Sequence, residues 1–254
     1  MLRRSLLWGA GASVGIGGVG WWQRNAILRR VLTGREHEVR VGPLPTADAK
    51  VCTLTPEQIE GPYFIASPVR RDVREDRVGL PLDLTIRIVQ AESCQSVVGA
   101  VAEIWHCDAA GRYSGFREDL ARKPLDTLLY VGGPDQGPPQ DNDKTYLRGA
   151  QASGTDGRLT FRTILPGWYE PRVPHIHLKV HTREHTYLTT QLYFEETLVA
   201  GVYAEHEAYQ PFGQSPYVHS NDLVIGSGPN PASLVLSTAS SQDGLQATCT
   251  VAVA

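Results

Sequence analysis

Two histidines separated by one residue, His175 and His177, are the first candidates for chemistry in this sequence. Alternate side chains of a β-strand lie on one face, so on a strand both imidazoles would point the same way, with Ile176 on the opposite face. Imidazole is a common metal ligand, and such a pair can supply half of a metal site. The same pair can also be an ordinary polar strand face, so the neighbouring motifs have to decide.

Tyrosines on turns lie close to the pair in sequence. Tyr169 ends a Gly-Trp-Tyr turn that closes a predicted strand just upstream. Tyr113 lies past the end of another predicted strand, within the stretch 105–115. Arg172 precedes His175 by three residues. The region therefore groups two phenols, two imidazoles and one guanidinium.

With these motifs in this order, the chain resembles the intradiol ring-cleavage dioxygenases, a family of catechol, hydroxyquinol and protocatechuate enzymes. The resemblance spans roughly residues 52–195. The matching stretches are residues 55–64, 104–114, 161–164, 167–169, 172–177 and 189–194.

The resemblance implies an Fe(III) ion with four protein ligands, Tyr113 and His175 equatorial and Tyr169 and His177 axial, with hydroxide as the fifth ligand. Elementary chemistry agrees. A phenol has a pKa of about 10 and is neutral at pH 7, but a neighbouring tripositive ion strongly favours the phenolate. Hard anionic oxygen ligands suit ferric rather than ferrous iron.

The resemblance also implies a reaction. A catechol-type diol would chelate the iron and displace the axial Tyr169, which would take a proton. Dioxygen would then cleave the ring between the two hydroxylated carbons to give a muconate-type diacid. Small aromatic diols and O2 are therefore the expected partners.

Further residues match functional positions of the family. Arg172 would stabilise charge on the substrate, Gln191 would lie near the same pocket, and Gly61, Pro62 and Tyr63 would line a substrate-binding loop. The alternatives are a surface arginine, a strand-to-strand hydrogen bond and a plain turn.

Two other functions remain open from the residues alone. The chain could be a metal-binding β-sandwich module without oxygenase activity. It could also be a hydrolase with a divalent ion such as zinc, although a hydrolase needs a general-base carboxylate and gains nothing from two tyrosines.

The subclass is harder to predict. Only about 50 residues precede the 55–64 motif, which leaves no room for the helical N-terminal domain of catechol and hydroxyquinol enzymes. The chain resembles protocatechuate-type subunits and single-domain exported members more, as a homo-oligomer or a monomer. The interval between Tyr169 and His175 is also short, without the insert common in the family.

Several neighbouring residues have structural interpretations. We interpret His106, His181 and His185 as surface residues or neighbours of the ligands. Trp105 is expected in the core. Asp108 is expected to cap the turn that carries Tyr113 through a side-chain to backbone hydrogen bond.

The N-terminal segment differs from the rest of the chain. Arg3 and Arg4 precede an apolar run from Leu6 to Trp22, a pattern typical of twin-arginine export signals. No small-x-small cleavage site follows closely, so the segment could instead anchor the protein to a membrane. Residues 1–50 are thus predicted to be a signal or anchor with a linker, and residues 51–254 the dioxygenase domain. The expected location is periplasmic or membrane-anchored.

None of the four cysteines forms a CxxC pair, which argues against a thiolate metal site. An even count in an exported protein suggests two disulfides. Three connectivities are possible. We favour Cys94–Cys107, which flank one predicted strand, together with Cys52–Cys249. Reduced, buried cysteines are the alternative.

Periodicity predicts an all-β protein, an antiparallel β-sandwich with long active-site loops and little helix. The predicted strands are residues 82–89, 97–105, 159–165, 173–181, 187–194, 223–225, 234–237 and 245–253. Residues 118–152 are predicted loop, and residues 196–209 can hold one helix. The formal net charge of −3 and the lack of a basic stripe argue against a nucleic-acid partner.

Overall fold

A computed structural model describes residues 52–117, 138–182, 187–227 and 231–254. The predicted signal or anchor, residues 1–50, lies outside the described residues, as does His185. The division of the chain at residue 50 therefore stays a prediction. No helix within the described ranges is long and apolar enough to cross a membrane.

Within the described residues, eight strands form two four-stranded sheets, with one α-helix and three short 3-10 helices. The first sheet has the order β4-β1-β8-β7 and the second the order β3-β2-β5-β6. The elements are β1 (Pro81–Gln90), β2 (Val101–Trp105), β3 (Arg148–Ala152), β4 (Arg158–Ile164), β5 (His175–His181), β6 (Tyr187–Tyr193), α1 (Glu196–Glu205), β7 (Ser237–Ser241) and β8 (Gly244–Val253), with 3-10 helices at Gln210–Phe212, Ile225–Ser227 and Pro231–Leu234.

The apolar faces of the two sheets form one buried core, because each strand turns alternate side chains inward. On β1 these are Leu82, Leu84, Ile86 and Ile88, all fully buried. On β5 the inward residues include Ile176, which lies in the same core cluster. His175 and His177 therefore lie on the face of the second sheet that points away from this core, as the alternation predicts.

The predicted β-sandwich is confirmed, with one addition to its topology. Five of the strand pairings described are antiparallel, but β8 runs parallel to β1, with Leu82 opposite Leu245 and Gln90 opposite Val253. Alternation tells which face of a strand is buried but not the direction of its neighbour, so this parallel pair could not be predicted from periodicity.

Two predicted strands are wrong, and one strand was missed. Residues 223–225 lead into a 3-10 helix because the Asp222 carboxylate accepts hydrogen bonds from the backbone N–H groups of Val224 and Ile225. Residues 234–237 lie mostly before β7, which begins at Ser237. β3 falls in the predicted loop because its sequence, RGAQA, has no β-branched or aromatic residue.

The predicted helix is confirmed but shorter. α1 ends at Glu205, and Val199 and Tyr203 are its buried residues. Leu198 and Val202 are partly buried against the core. A 3-10 helix, Gln210–Phe212, follows, and Pro211 explains why a regular helix does not continue through it.

The disulfide is Cys52–Cys94, with Cα atoms 5.2 Å apart, and Cys107 and Cys249 are free. Both favoured pairs, Cys94–Cys107 and Cys52–Cys249, are therefore wrong. The backbone N–H of Cys52 donates to the carbonyl of Ala91 at 2.8 Å, which brings Cys52 to the turn that carries Cys94. This pairing between distant segments leaves no mark in the sequence.

Replacement of both Cys52 and Cys94 by serine should lower the free energy of unfolding by about 3–4 kcal/mol, because the bond closes a long loop and restricts the unfolded chain. Urea unfolding under oxidising conditions measures the change. Cys249→Ser is the control, since Cys249 is a free thiol. Equal unfolding free energies for the parent and the double variant would contradict the prediction.

Candidate metal centre

Four side chains from three segments converge at one end of the second sheet. The Tyr113 hydroxyl oxygen lies 3.4 Å from that of Tyr169 and 3.4 Å from Nε2 of His175. The Tyr169 oxygen is 3.3 Å from the same nitrogen, and Nε2 of His175 is 3.1 Å from Nε2 of His177. All four side chains are at most 5% exposed. We call these four residues the four-donor cluster.

Strand β5 positions the two histidines. His177 is paired with Trp105 of β2, and the indole stacks on the imidazole with centroids 4.8 Å apart and planes 6° apart. Trp105 is fully buried, as expected, although it packs with the aromatic residues of the site rather than with the main core. This stacking fixes the plane of the His177 ring.

The turn before Tyr113 is held as predicted. Oδ1 of Asp108 accepts hydrogen bonds from the backbone N–H groups of Ala110 and Arg112, both at 2.9 Å. The backbone of the same turn also holds the second tyrosine, because the carbonyl of Asp108 accepts from the N–H of Gly167 at 3.0 Å. The turns that carry Tyr113 and Tyr169 therefore form one hydrogen-bonded unit.

Glycines allow these two turns to pack closely. Gly111 has φ +76°, and a Cβ there would lie 2.5 Å from the carbonyl oxygen of Trp168. A Cβ on Gly167 would lie 2.4 Å from the carbonyl oxygen of Ala109. Any side chain at either glycine would force the two tyrosine turns apart.

The segment with Gly61, Pro62 and Tyr63 forms one wall of the site. The Tyr63 ring stacks on that of Tyr113 with centroids 4.5 Å apart. Gly61 is next to His177, since a Cβ on Gly61 would lie 3.1 Å from Cε1 of that ring. Pro62, between them, is half-buried. The structure thus brings Gly61 and Tyr63 into contact with the four-donor cluster.

Burial sets the protonation of the donors. It depresses the pKa values of His175 and His177 well below their usual range, and neighbouring positive charge adds to the effect. Nδ1 of His175 donates to the carbonyl of Val173 at 2.7 Å, since a carbonyl only accepts, so Nε2 presents a lone pair to the cluster. Burial likewise raises the pKa values of both phenols, Tyr113 and Tyr169.

The cluster fits a small, highly charged cation. Its internal O···O and O···N separations of 3.3–3.4 Å exceed the usual ~2.7–2.8 Å of a hydroxyl hydrogen bond, so the donors satisfy one another poorly. Two neutral imidazoles and two phenols that a cation can ionise are a suitable donor set for a trivalent ion. The four donors therefore fit the Fe(III) ion that the family resemblance implies.

Arg172 lies beside the cluster and is held from two sides. Its Nε donates to Oδ2 of Asp222 at 2.9 Å, and its Nη2 donates to Oε1 of Gln191 at 2.5 Å and to the Tyr193 hydroxyl at 3.3 Å. Burial opposes the charged form, but Tyr169, Asp222 and Tyr193 outweigh it and raise the pKa of Arg172. The surface-arginine interpretation is wrong, because Arg172 is 6% exposed.

Gln191 connects Arg172 to the N-terminal wall of the site. Its Nε2 donates to the carbonyl of Ile59 at 2.9 Å, and its Oε1 lies 3.1 Å from the Tyr193 hydroxyl oxygen. The single proton of that hydroxyl is donated over the shorter distance, 2.8 Å, to Oε1 of Gln58. The Gln191 side chain therefore bonds to Arg172 and to the segment before Gly61, not merely to a neighbouring strand.

Sequence reasoning missed Asp222 and Arg148. Asp222 comes 50 residues after Arg172 from an irregular segment, and no local pattern marks it. Arg148 is fully buried, and its Nε and Nη2 donate to the hydroxyl and carbonyl of Ser114 at 2.8 Å each. Burial lowers its pKa to about 9. Arg148 thus holds the residue next to Tyr113.

His106 and His181, two histidines outside the four-donor cluster, differ from each other. His106 is fully buried, with Nδ1 2.8 Å from the carbonyl oxygen of Cys107 and Nε2 2.7 Å from Oγ1 of Thr163. Burial lowers its pKa to about 4. A surface position for His106 is therefore wrong. His181 is partly exposed and lies 3.1 Å from Glu103.

Comparison with known proteins agrees with this fold and cluster. A family model described as Dioxygenase matches residues 59–205. The chain is 26% identical over 171 residues to a chlorocatechol 1,2-dioxygenase of Cupriavidus pinatubonensis, and the aligned region covers 58% of this chain and 57% of that protein. It is 27% identical over 165 residues to a catechol 1,2-dioxygenase of Acinetobacter lwoffii, and that alignment covers 56% of this chain and 46% of the relative.

A solved structure is similar over more of its length. An intradiol ring-cleavage dioxygenase from Tetranychus urticae superimposes with a TM-score of 0.70 and 29% identity, over 80% of this chain and 95% of that one. The family match covers more than half of the sequence, so this chain belongs to the intradiol ring-cleavage dioxygenase family. It spans about half the length of the curated relatives it matches.

Gly61→Ala should destabilise the protein by about 1–2 kcal/mol, because residue 61 has φ +75° and an alanine methyl would press on the His177 ring. Gly201→Ala is the matched control, since residue 201 is in α1 and a Cβ there meets nothing within 4 Å. The control should be stabilised by up to about 1 kcal/mol. Thermal unfolding measures both. A Gly61→Ala protein as stable as its parent would show that Gly61 is not required.

Proposed function

We propose that this chain is a non-haem Fe(III) dioxygenase that cleaves catechol-type rings between the two hydroxylated carbons and forms muconate-type diacids. The observation that carries the proposal is the convergence of Tyr113, Tyr169, His175 and His177, with the cation of Arg172 held beside them. Membership of the family and the catechol and chlorocatechol enzymes among the relatives support it.

The four-donor cluster would hold the iron. Two phenolates neutralise most of a ferric charge, and two imidazoles complete a protein ligand set that leaves room for substrate. Bound there, Fe(III) would supply Lewis-acid and template chemistry to a chelated diol. This role rests on the donor set and on the family.

The chain's own groups then have defined tasks. Tyr169 would accept a proton from one substrate hydroxyl, the role that the family resemblance implies for this position, and the neighbouring charge of Arg172 favours its ionised form. Arg172 would stabilise negative charge that develops on the substrate. Tyr63, stacked on Tyr113, would keep water away from that side of the site.

The substrate is proposed only as a class. Catechol and chlorocatechol are named for the relatives, and the protocatechuate-like subclass stays a prediction. Protocatechuate carries a carboxylate that catechol lacks, so a panel of the two compounds with a chlorinated catechol distinguishes the possibilities by their kcat/KM values.

Export is proposed on two observations. The twin-arginine pattern at Arg3 and Arg4 is typical of an export signal, and the Cys52–Cys94 disulfide is of a kind that persists in oxidising compartments. Fractionation of cells that express the full chain tests this proposal, with Arg3→Lys/Arg4→Lys as the variant that should stay in the cytoplasm. The same fractionation shows whether the N-terminal segment anchors the chain to a membrane. The protein recovered from it shows whether the chain is a monomer or a homo-oligomer.

Iron loading is the first test of the function. The loaded protein should contain about one iron ion per chain and absorb visible light through tyrosinate-to-iron charge transfer. It should consume O2 when catechol is added. A protein that binds iron but consumes no O2 with any diol of the panel would favour the metal-binding module, and a protein that binds zinc in preference would favour a hydrolase.

Tyr169→Phe should lower kcat by about 10²–10⁴-fold, because it removes the proposed proton acceptor. The visible band should shift as well. Tyr203→Phe is the matched control: it removes another buried hydroxyl, which donates to the backbone carbonyl of Pro166 rather than to one of the four donors. Steady-state O2 consumption and metal analysis measure both variants. A Tyr169→Phe protein with the parent's kcat and absorption would contradict the assignment.

A further inference from the structure

Asp222 combines two tasks in one buried carboxylate. Its Oδ1 accepts hydrogen bonds from the N–H groups of Val224 and Ile225 at 2.8 and 3.1 Å, and so begins the 3-10 helix Ile225–Ser227. Its Oδ2 accepts from Nε of Arg172 at 2.9 Å and from the N–H of Val173 at 2.8 Å. One oxygen therefore organises the local chain, and the other reaches the segment that leads into β5.

The ion pair is shielded from water. The side chain of Asp222 is 0% exposed and that of Arg172 is 8% exposed. A buried cation without its counter-ion is strongly unfavourable, so Asp222 determines where the guanidinium can lie. The bond to the N–H of Val173 adds a second link, because it ties the carboxylate to the backbone directly after Arg172.

The remaining contacts of Arg172 complete a clamp. Nε is bound by Asp222, and Nη2 is bound by Gln191 and Tyr193. No bond from Nη1 to another described residue accompanies them. Two of the three guanidinium nitrogens are thus held, and the third, Nη1, can bind a different partner.

We propose that Asp222 is a positioning residue for ring cleavage, which holds Arg172 in the one orientation that keeps Nη1 for the substrate. This inference rests on the proposed function. Within the described residues, Asp222 makes no hydrogen bond to the four-donor cluster, and its carboxylate acts through the arginine. The fold thus uses its irregular C-terminal segment to complete the site.

Asp222→Asn tests the proposal, because it keeps the shape of the side chain but removes its charge. In the iron-loaded full chain, kcat for catechol should fall by about 10–10³-fold, in the range for loss of one aligned transition-state donor. KM, and the Kd for catechol measured without O2 from the visible band, should change by less than about threefold. Iron content should be unchanged.

Asn221→Ala is the matched control. Oδ1 of Asn221 accepts from the N–H of Val218 at 2.8 Å in the same turn but does not contact Arg172. Its kcat should equal that of the parent. An equal fall of kcat in both variants would show that the turn, and not the carboxylate on Arg172, is what matters, and would overturn the proposal.

A double-mutant cycle separates positioning from structure. In an Arg172→Gln background, Asp222→Asn should lower kcat by less than about threefold more, because its route to the substrate is already lost. The same fold-loss in both backgrounds would overturn the proposal. If Asp222→Asn does not fold, Asp222→Glu, which keeps the charge but displaces it, replaces it and should also lower kcat at least about tenfold with iron retained.

The same measurements separate the proposed function from the role of Asp222. A parent protein that consumes no O2 with catechol would overturn the proposed function and this role with it. An active parent with an equally active Asp222→Asn variant would overturn only the role of Asp222. An active parent with the kcat-specific loss supports both.

Discussion

The alternation of side chains along β5 is the constraint on which the rest of the site depends. It sends Ile176 into the core between the sheets and keeps His175 and His177 together on the opposite face, where their Nε2 atoms lie 3.1 Å apart. Core packing therefore fixes the direction of the two imidazoles. The strand sets the direction of these two donors. Around them pack the two tyrosine turns, the Trp105 ring and the segment with Gly61, Pro62 and Tyr63.

Burial then gives the cluster its chemical character. Removal from water lowers the pKa values of both histidines and raises those of both phenols, so all four donors are neutral when no cation is near. Neutral imidazoles are competent ligands, and phenols give up their protons only to a strongly positive partner. Four buried donors that satisfy one another poorly are suited to a cation placed between them.

Much of this arrangement could be predicted from the sequence, and the limits have physical causes. The strand alternation at His175–His177 and the Asp108 cap of the Tyr113 turn are local, and both are confirmed. The disulfide, the parallel β1–β8 pair and the Asp222–Arg172 ion pair join segments far apart in sequence, and local patterns carry no record of them. For the same reason the sequence could not decide between a surface position for His106 and a place beside the ligands, since its partner Thr163 is on another strand.

The fate of the oxygen atoms tests the central claim most directly. When the iron-loaded protein turns over catechol under ¹⁸O-labelled dioxygen, mass spectrometry of the product should show a diacid that carries both labelled atoms, with the ring opened between the two former hydroxyl carbons. A ring opened beside the diol, or product oxygen derived from water, would contradict an intradiol dioxygenase built on Tyr113, Tyr169, His175 and His177.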